Sequence, residues 1–245
     1  MISVRQITKM LGTQTVLRGV DLEVKKGDTC VILGRSGGGK SVLLKHLIGL
    51  FKPTSGEVWV DGEEITRLEE RQLGRIRKKV GMLFQSGALF DSMNVEENIA
   101  FPLREAGVKN PKEIRDRVAE ALEMVNLAGE QKKMPEKLSG GMRKRVGLAR
   151  TIVGRPECLL YDEPTTGLDP IASDSINHLI RRLQKRLAVT SVVVTHDMRT
   201  AFHTANQIAL LHEGRIFFNG SADDLRASRD SVIVDFIEGR SGEVS

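Results

Sequence analysis

The stretch Gly34-Arg35-Ser36-Gly37-Gly38-Gly39-Lys40-Ser41 matches G-x-x-x-x-G-K-[ST], with the apolar run Cys30–Leu33 before it and a helical run, Val42–Leu50, after it. Glycines let such a loop curl until its backbone N–H groups converge on phosphate oxygens, and the helix start adds partial positive charge. In that setting Lys40 meets the β- and γ-phosphates and the Ser41 hydroxyl ligates Mg²⁺. A glycine-rich turn alone could show this pattern by chance. Strand before and helix after make it a nucleotide site, with Gly34–Ser41 and Val42 as its binding set.

Upstream of the loop the sequence reads as strands. Ser3–Lys9, Val16–Val24 and Thr29–Leu33 are rich in β-branched residues and are separated by Gly12 and Lys26-Gly27-Asp28. Glu57–Val60 runs into Asp61-Gly62, a two-residue hairpin signal, and then Glu63–Ile65. Downstream, Val80–Gln85 is a short strand, and Asn110-Pro111 opens a helix with Ile114, Val118, Leu122 and Val125 on one face. Arg143–Thr151 forms a further helix. Cys158–Asp162 and Ser191–Thr195 are apolar runs of strand length, as in parallel strands covered on both faces. Gln207–Leu211 and Ile216–Asn219 flank Glu213-Gly214 as a closing hairpin. The expected organisation is a nucleotide-binding core over 1–86 and 156–225, a helical lobe over 87–155, and a tail over 226–245. Val232, Ile233, Phe236 and Ile237 make that tail a short docking helix.

The chain has 245 residues, 40% hydrophobic and 28% charged, which suits a packed core rather than disorder. Its net charge of +5 is mild, and aromatics at 4% are too few for base-stacking platforms, which argues against nucleic acid. No apolar run reaches membrane-spanning length, and Arg5, Gln6 and Lys9 occupy the place of a signal peptide's apolar stretch. A cytoplasmic location is expected. Cys30 and Cys158 sit in apolar runs and read as reduced core residues.

Two further segments carry chemistry. Cys158–Asp162 ends in Asp162-Glu163, and carboxylates at the carboxyl edge of a parallel strand suit Mg²⁺ and an attacking water. Leu138-Ser139-Gly140-Gly141-Met142 makes a second anion-ready helix start, with Ser139 as its cap.

With these segments the sequence resembles an ABC-type ATPase subunit over nearly its whole length. The phosphate loop, Gln85, Leu138–Gly141, Asp162-Glu163, Gly167-Leu168-Asp169 and Thr195-His196-Asp197 occur in that family's order and spacing. The resemblance implies an α/β P-loop fold: a RecA-like parallel core, an N-terminal antiparallel β-subdomain and an inserted α-helical subdomain. It implies Mg²⁺-dependent hydrolysis of ATP in a head-to-tail homodimer. Each ATP lies between the phosphate loop of one subunit and Ser139, Gly140 and Gly141 of the other. Glu163 is the implied catalytic base and His196 a γ-phosphate contact. Gln85 is the implied sensor of metal and water. Ser41, Gln85 and Asp162 hold Mg²⁺, and Asp169 shapes the dimer seam. Two positions depart from the pattern. Met142 stands where many members carry Gln, and Leu11 replaces the aromatic that often stacks on adenine, leaving Val16 for apolar contact.

Gln85–Val95 with Glu96–Leu103 sits where transporter subunits build a groove for a permease helix, with Leu89, Phe90, Met93 and Phe101 as its apolar residues. This stretch, Leu138–Arg145 and Phe236–Gly239 look most like the ATPase of Mla-type phospholipid transporters. That likeness implies an integral-membrane permease, an MCE-type lipid-binding protein, a small STAS-type regulatory subunit, a phospholipid cargo and a place on the cytoplasmic face of the inner membrane. An amino-acid importer ATPase and a soluble iron–sulfur-assembly ATPase are the competing readings. The genes beside this one would discriminate among them.

Overall fold

The computed structural model describes residues 1–240; residues 241–245, the end of the expected tail, lie outside the described residues. In chain order the elements are β1 (Ile2–Leu11), β2 (Gln14–Val24), β3 (Thr29–Leu33), α1 (Lys40–His46), β4 (Ser55–Val60), β5 (Glu63–Glu64), α2 (Glu70–Lys79), β6 (Val80–Leu83), α3 (Val95–Glu105) and α4 (Pro111–Met124). There follow α5 (Gly140–Ile152), β7 (Cys158–Asp162), α6 (Pro170–Leu187), β8 (Thr190–Thr195), α7 (Met198–Thr204), β9 (Gln207–His212), β10 (Arg215–Gly220), α8 (Ala222–Ala227) and α9 (Ser231–Glu238). The chain divides into two compact units, 1–69 with 192–245 and 70–191.

In the first unit, β2-β1-β4-β5 form an antiparallel sheet. Ile2, Val4 and Ile7 of β1 are buried, with an irregularity in register between Val4 and Ile7 where Gln6 takes φ +48°. Asp61-Gly62 and Glu213-Gly214 both take positive φ, the mirror-image turn their sequences encode. The second sheet of this unit runs β10-β9-β3-β8. β3 is buried along its length and pairs in parallel with β9, from Cys30↔Gln207 to Leu33↔Leu210, while β10 closes antiparallel on β9. The expected helix over Val42–Leu50 ends at His46. Leu47 and Gly49 donate to carbonyls three residues back, and Gly49 turns the chain away at φ +66°.

In the second unit β6 and β7 pair in parallel, from Val80↔Cys158 to Leu83↔Tyr161. The α5 helix packs against α3, α4 and β6. Gly147 permits this: a Cβ there would stand 2.9 Å from the Gly87 carbonyl and 3.0 Å from Leu83. The helix α4 begins at Pro111 under an Asn110 cap, and Val118, Leu122 and Val125 are buried as their spacing requires. The sequence places no helix at Val95–Glu105, where Pro102 lies inside the last turns. A capping box, Asn94 with Glu97, starts α3 strongly enough to carry that proline.

Both cysteines are free and fully buried, and burial pushes each thiol up to about 12, so neither is a nucleophile. Among the described residues no helix is long and apolar enough to cross a membrane.

Candidate functional site

In the first unit β3 delivers the chain into the phosphate loop. Gly39 closes it in the left-handed region at φ +95° and precedes α1 without any side-chain cap. A Cβ at Gly39 would stand 3.0 Å from the Val16 side chain and 3.1 Å from that of Leu17, so β2 backs directly onto the loop. Val16 is thus beside the phosphate loop. Leu11 lies instead at the exposed end of the β1–β2 hairpin, paired with Gln14. Lys40 is 5% exposed, and its Nζ donates to the carbonyls of Gly34 at 2.9 Å and Arg35 at 3.0 Å. Its charge is thereby fixed against the loop backbone. His196 follows β8, the neighbour of β3, and is exposed. Asp197 beside it caps α7, accepting from the Arg199 amide at 2.9 Å and the Thr200 hydroxyl at 2.8 Å.

One helical turn beyond the loop, His46 is buried edge-on to Phe51, and its Nδ1 lies 2.7 Å from the Val42 carbonyl. Nε2 has no hydrogen-bond partner among the described residues. Burial lowers this imidazole below its ordinary 6.5; the Val42 carbonyl opposes that shift and Lys9 adds to it. The unfolded chain therefore binds a proton at pH values where the folded chain does not, so stability falls as pH drops below 6.5. Denaturation midpoints at pH 7.5 and 5.5 should differ, with a slope of up to about 1.4 kcal/mol per pH unit from this group. His46→Gln should shrink the difference. An unchanged difference would remove His46 as its source.

In the second unit the carboxyl edge of β7 carries Asp162 and Glu163, 6% and 7% exposed. Glu163 takes φ +47°, a strained conformation for a side chain with a Cβ, and the Thr166 hydroxyl donates to its Oε2 at 3.1 Å. The pairing Leu83↔Tyr161 brings Gln85 and Glu163, each two residues further on, to the same edge. Lys144 of α5 joins them: its Nζ donates to the backbone carbonyls of Gln85 and, at 3.2 Å, of Glu163. Burial pulls the Lys144 ammonium below its usual range, and the attraction of Asp162 and Glu163 works the other way. The sequence reading missed Lys144. The signal was there, a lysine four residues before Leu148 and eight before Ile152 on the buried stripe of its helix.

Ser139 caps α5 by accepting from the Met142 amide at 3.2 Å, so the helix starts at Gly140 rather than at Arg143. A Cβ at Gly140 would stand 3.3 Å from Leu168, and one at Gly141 3.7 Å from Ala172. Asp169 caps α6 through the amides of Ile171 and Ala172, both at 2.9 Å. Ser139, Gly140, Gly141 and Asp169 therefore form one cluster of two helix starts.

Of the expected apolar residues, Leu89, Phe90 and Met93 lie on the loop between β6 and α3, and Phe101 lies in α3. Phe90 is 41% exposed and its ring lies 4.8 Å from that of Phe101. The Arg150 guanidinium sits 5.6 Å from the Phe90 ring and donates to the carbonyls of Ala88 at 2.8 Å and Gly87 at 3.0 Å. Asn98, fully buried, accepts from the Phe90 amide at 2.8 Å and donates to the carbonyls of Phe90, Met93 and Asn94 at 2.9–3.1 Å. The side chains Asn98 and Arg150 thus hold an exposed aromatic on a fixed loop.

The sequence profile of the family described as ABC transporter matches residues 17–166. The chain is 41% identical, over 98% of its length and 69% of the relative's, to a probable ribonucleotide transport ATP-binding protein, mkl, of Mycobacterium leprae. It is 40% identical to the intermembrane phospholipid transport system ATP-binding protein MlaF of Haemophilus influenzae, over 98% of this chain and 91% of that one. The methionine import ATP-binding protein MetN of Carboxydothermus hydrogenoformans is 45% identical over 84% of this chain and 61% of its own. Among solved structures, the dimeric post-hydrolysis state of the ATP-binding cassette MJ0796 with ADP and Pi superposes with a TM-score of 0.83 at 33% identity, covering 90% of this chain and 98% of that one. With the phosphate loop, the carboxylate pair and the two capped helix starts in place, the chain belongs to the ABC transporter family, as one of its ATP-binding, ATP-hydrolysing subunits.

Proposed function

We propose that this subunit powers phospholipid movement between inner and outer membranes as the cytoplasmic ATPase of an Mla-type transporter. The observation that carries the cargo is the match to the phospholipid relative, which runs along nearly the full length of both chains. The 45% identity to a methionine import subunit favours a second reading, an amino-acid importer. In either case the chain sits on the cytoplasmic face of the membrane against a permease, with Phe90 on its fixed loop as the docking surface. An MCE-type lipid-binding protein and a small STAS-type subunit complete the phospholipid assembly.

At the site, the amides of Gly34–Ser41 and Val42 with the Lys40 ammonium cradle the phosphates of ATP, and Val16 and Leu11 give the base apolar contact. Among the described residues no group of three His, Cys, Asp or Glu side chains could cage a metal. Mg²⁺ needs no such cage, being bound through one or two carboxylates with substrate phosphates and water. Ser41 of the first unit, and Asp162 and Gln85 of the second, each carry a hard oxygen of the kind that would hold it. A Mg²⁺ held there would supply charge neutralisation to the phosphates. Glu163 takes the proton as a water oxygen attacks the γ-phosphorus. The bond to the bridging oxygen then breaks, leaving ADP and phosphate. His196 contacts the γ-phosphate. Ser139–Gly141 of a second copy close over the nucleotide, with Asp169 at the seam, so a lone subunit has an incomplete site.

Phe90→Asp tests the docking surface. Phe90 is already exposed, so the fold should survive, but a carboxylate buried against a permease helix costs about 3 kcal/mol or more, a hundredfold or greater in affinity. Soluble ATPase activity should persist while the assembly is lost from membranes. Wild-type subunit purified from membranes should bring a permease and an MCE-type protein, with phospholipid stimulating turnover. A periplasmic amino-acid-binding protein, or soluble iron–sulfur proteins alone, would overturn the cargo reading.

A further inference from the structure

Past Leu83 and Tyr161 the ladder between β6 and β7 ends, and Gln85 and Glu163 lie on separate loops. Lys144 spans that gap. It is 5% exposed, and its Nζ donates to the Gln85 carbonyl and to the Glu163 carbonyl at 3.2 Å. A buried ammonium is expensive, and an apolar side chain would fill the same space without that cost, so the cation is there for the two oxygens it holds. Close packing at Gly147 presses α5 onto the same loop, leaving it little room to shift by itself. The helix is also the one that Ser139 caps. Ser139 and Lys144 therefore belong to one rigid rod, with the anion-ready start at its tip and the grip on both loops about one turn in.

We propose that Lys144 is a positioning residue for ATP hydrolysis, fixing the Gln85 loop to the Glu163 turn and tying both to the helix that begins at Ser139. This rests on the roles given above to Gln85 and Glu163. It adds a route by which contact at the helix tip reaches the base. Engagement of Ser139 with the nucleotide of a second copy moves or steadies α5, and Lys144 carries that to both carbonyls. The chemistry at Glu163 then proceeds only when the opposite site is filled.

The test compares Lys144→Met with Lys144→Gln, which keeps N–H donors, and runs Glu163→Gln beside them. Steady-state kinetics, affinity for a fluorescent ATP analogue and Tm are read on each full-length variant. Lys144→Met should lower kcat at least about tenfold, while KM and nucleotide affinity stay within about twofold and Tm within a few degrees. Lys144→Gln should recover most of kcat. Should the Met variant fail to fold, Lys144→Arg keeps the donors on a bulkier head that shifts both carbonyls, and it should show the same fall in kcat with KM held. Lys144→Met with unchanged kcat, while Glu163→Gln is dead, would overturn the positioning role. So would a Met variant whose kcat, nucleotide affinity and Tm fall together without rescue by Gln, since that is a merely structural lysine. If Glu163→Gln itself retains turnover, it is the reading of the base that has failed.

Discussion

Glu163→Gln should bind MgATP and fail to turn it over. The substitution keeps the shape of the side chain, and the amide oxygen can still accept from the Thr166 hydroxyl, so the strained turn at φ +47° is kept. Lys144 grips the backbone carbonyl of residue 163, which the change does not touch. What is lost is the carboxylate proposed to take the proton of the attacking water, and removing such a base typically costs about 10²–10⁴ in rate. Phosphate contacts are untouched, so nucleotide affinity should be held. In size-exclusion runs with ATP the variant should elute as a persistent dimer. A rate within a few-fold of wild type would take Glu163 out of the reaction.

Lys40→Ala should do the reverse and fail at binding. The ammonium is held to the carbonyls of Gly34 and Arg35, so its removal takes away a clamp on the loop together with the charge proposed to meet the phosphates. Charge-assisted bonds are worth about 1.5–3 kcal/mol each, so affinity for ATP should fall at least about a hundredfold. This variant also tests whether sites are shared. Mixed with Ser139→Arg subunits, themselves inactive, it should form heterodimers in which one intact loop faces one intact Ser139. Activity should return on mixing. Failure of the mixture to regain any activity, or specific activity in wild type that is independent of concentration, would reject the shared site.

Much of this fold is legible in the sequence because its punctuation is chemical. Asp61-Gly62 and Glu213-Gly214 make the hairpins they encode, and Asn110-Pro111 and Ser139 start helices where caps belong. The misreadings have local causes. Pro102 hid α3, whose capping box at Asn94 and Glu97 outweighs one missing amide. Apolar residues through Leu50 prolonged α1 past the turn at Gly49. The site divides the same way. The phosphate loop, Asp162-Glu163 and Ser139–Gly141 have sequence spacing because their own side chains and amides are the groups proposed to bind. Asn98 was not legible, and Lys144 showed only as a lysine on a buried stripe with nothing to name what it holds, because their partners are main-chain carbonyls, which carry no residue identity. A donor aimed at a distant backbone leaves only half of its pair in the sequence.

The four hydrogen bonds of the Asn98 side chain bear on how the subunit meets a permease. In the proposed docking, the turn that presents Phe90 is already set, so no segment has to fold when a permease helix arrives. The heat-capacity change of docking then follows the apolar area covered, without the larger signature of coupled folding. Such an encounter costs little ordering entropy, so more of the contact energy around Phe90 is left as affinity.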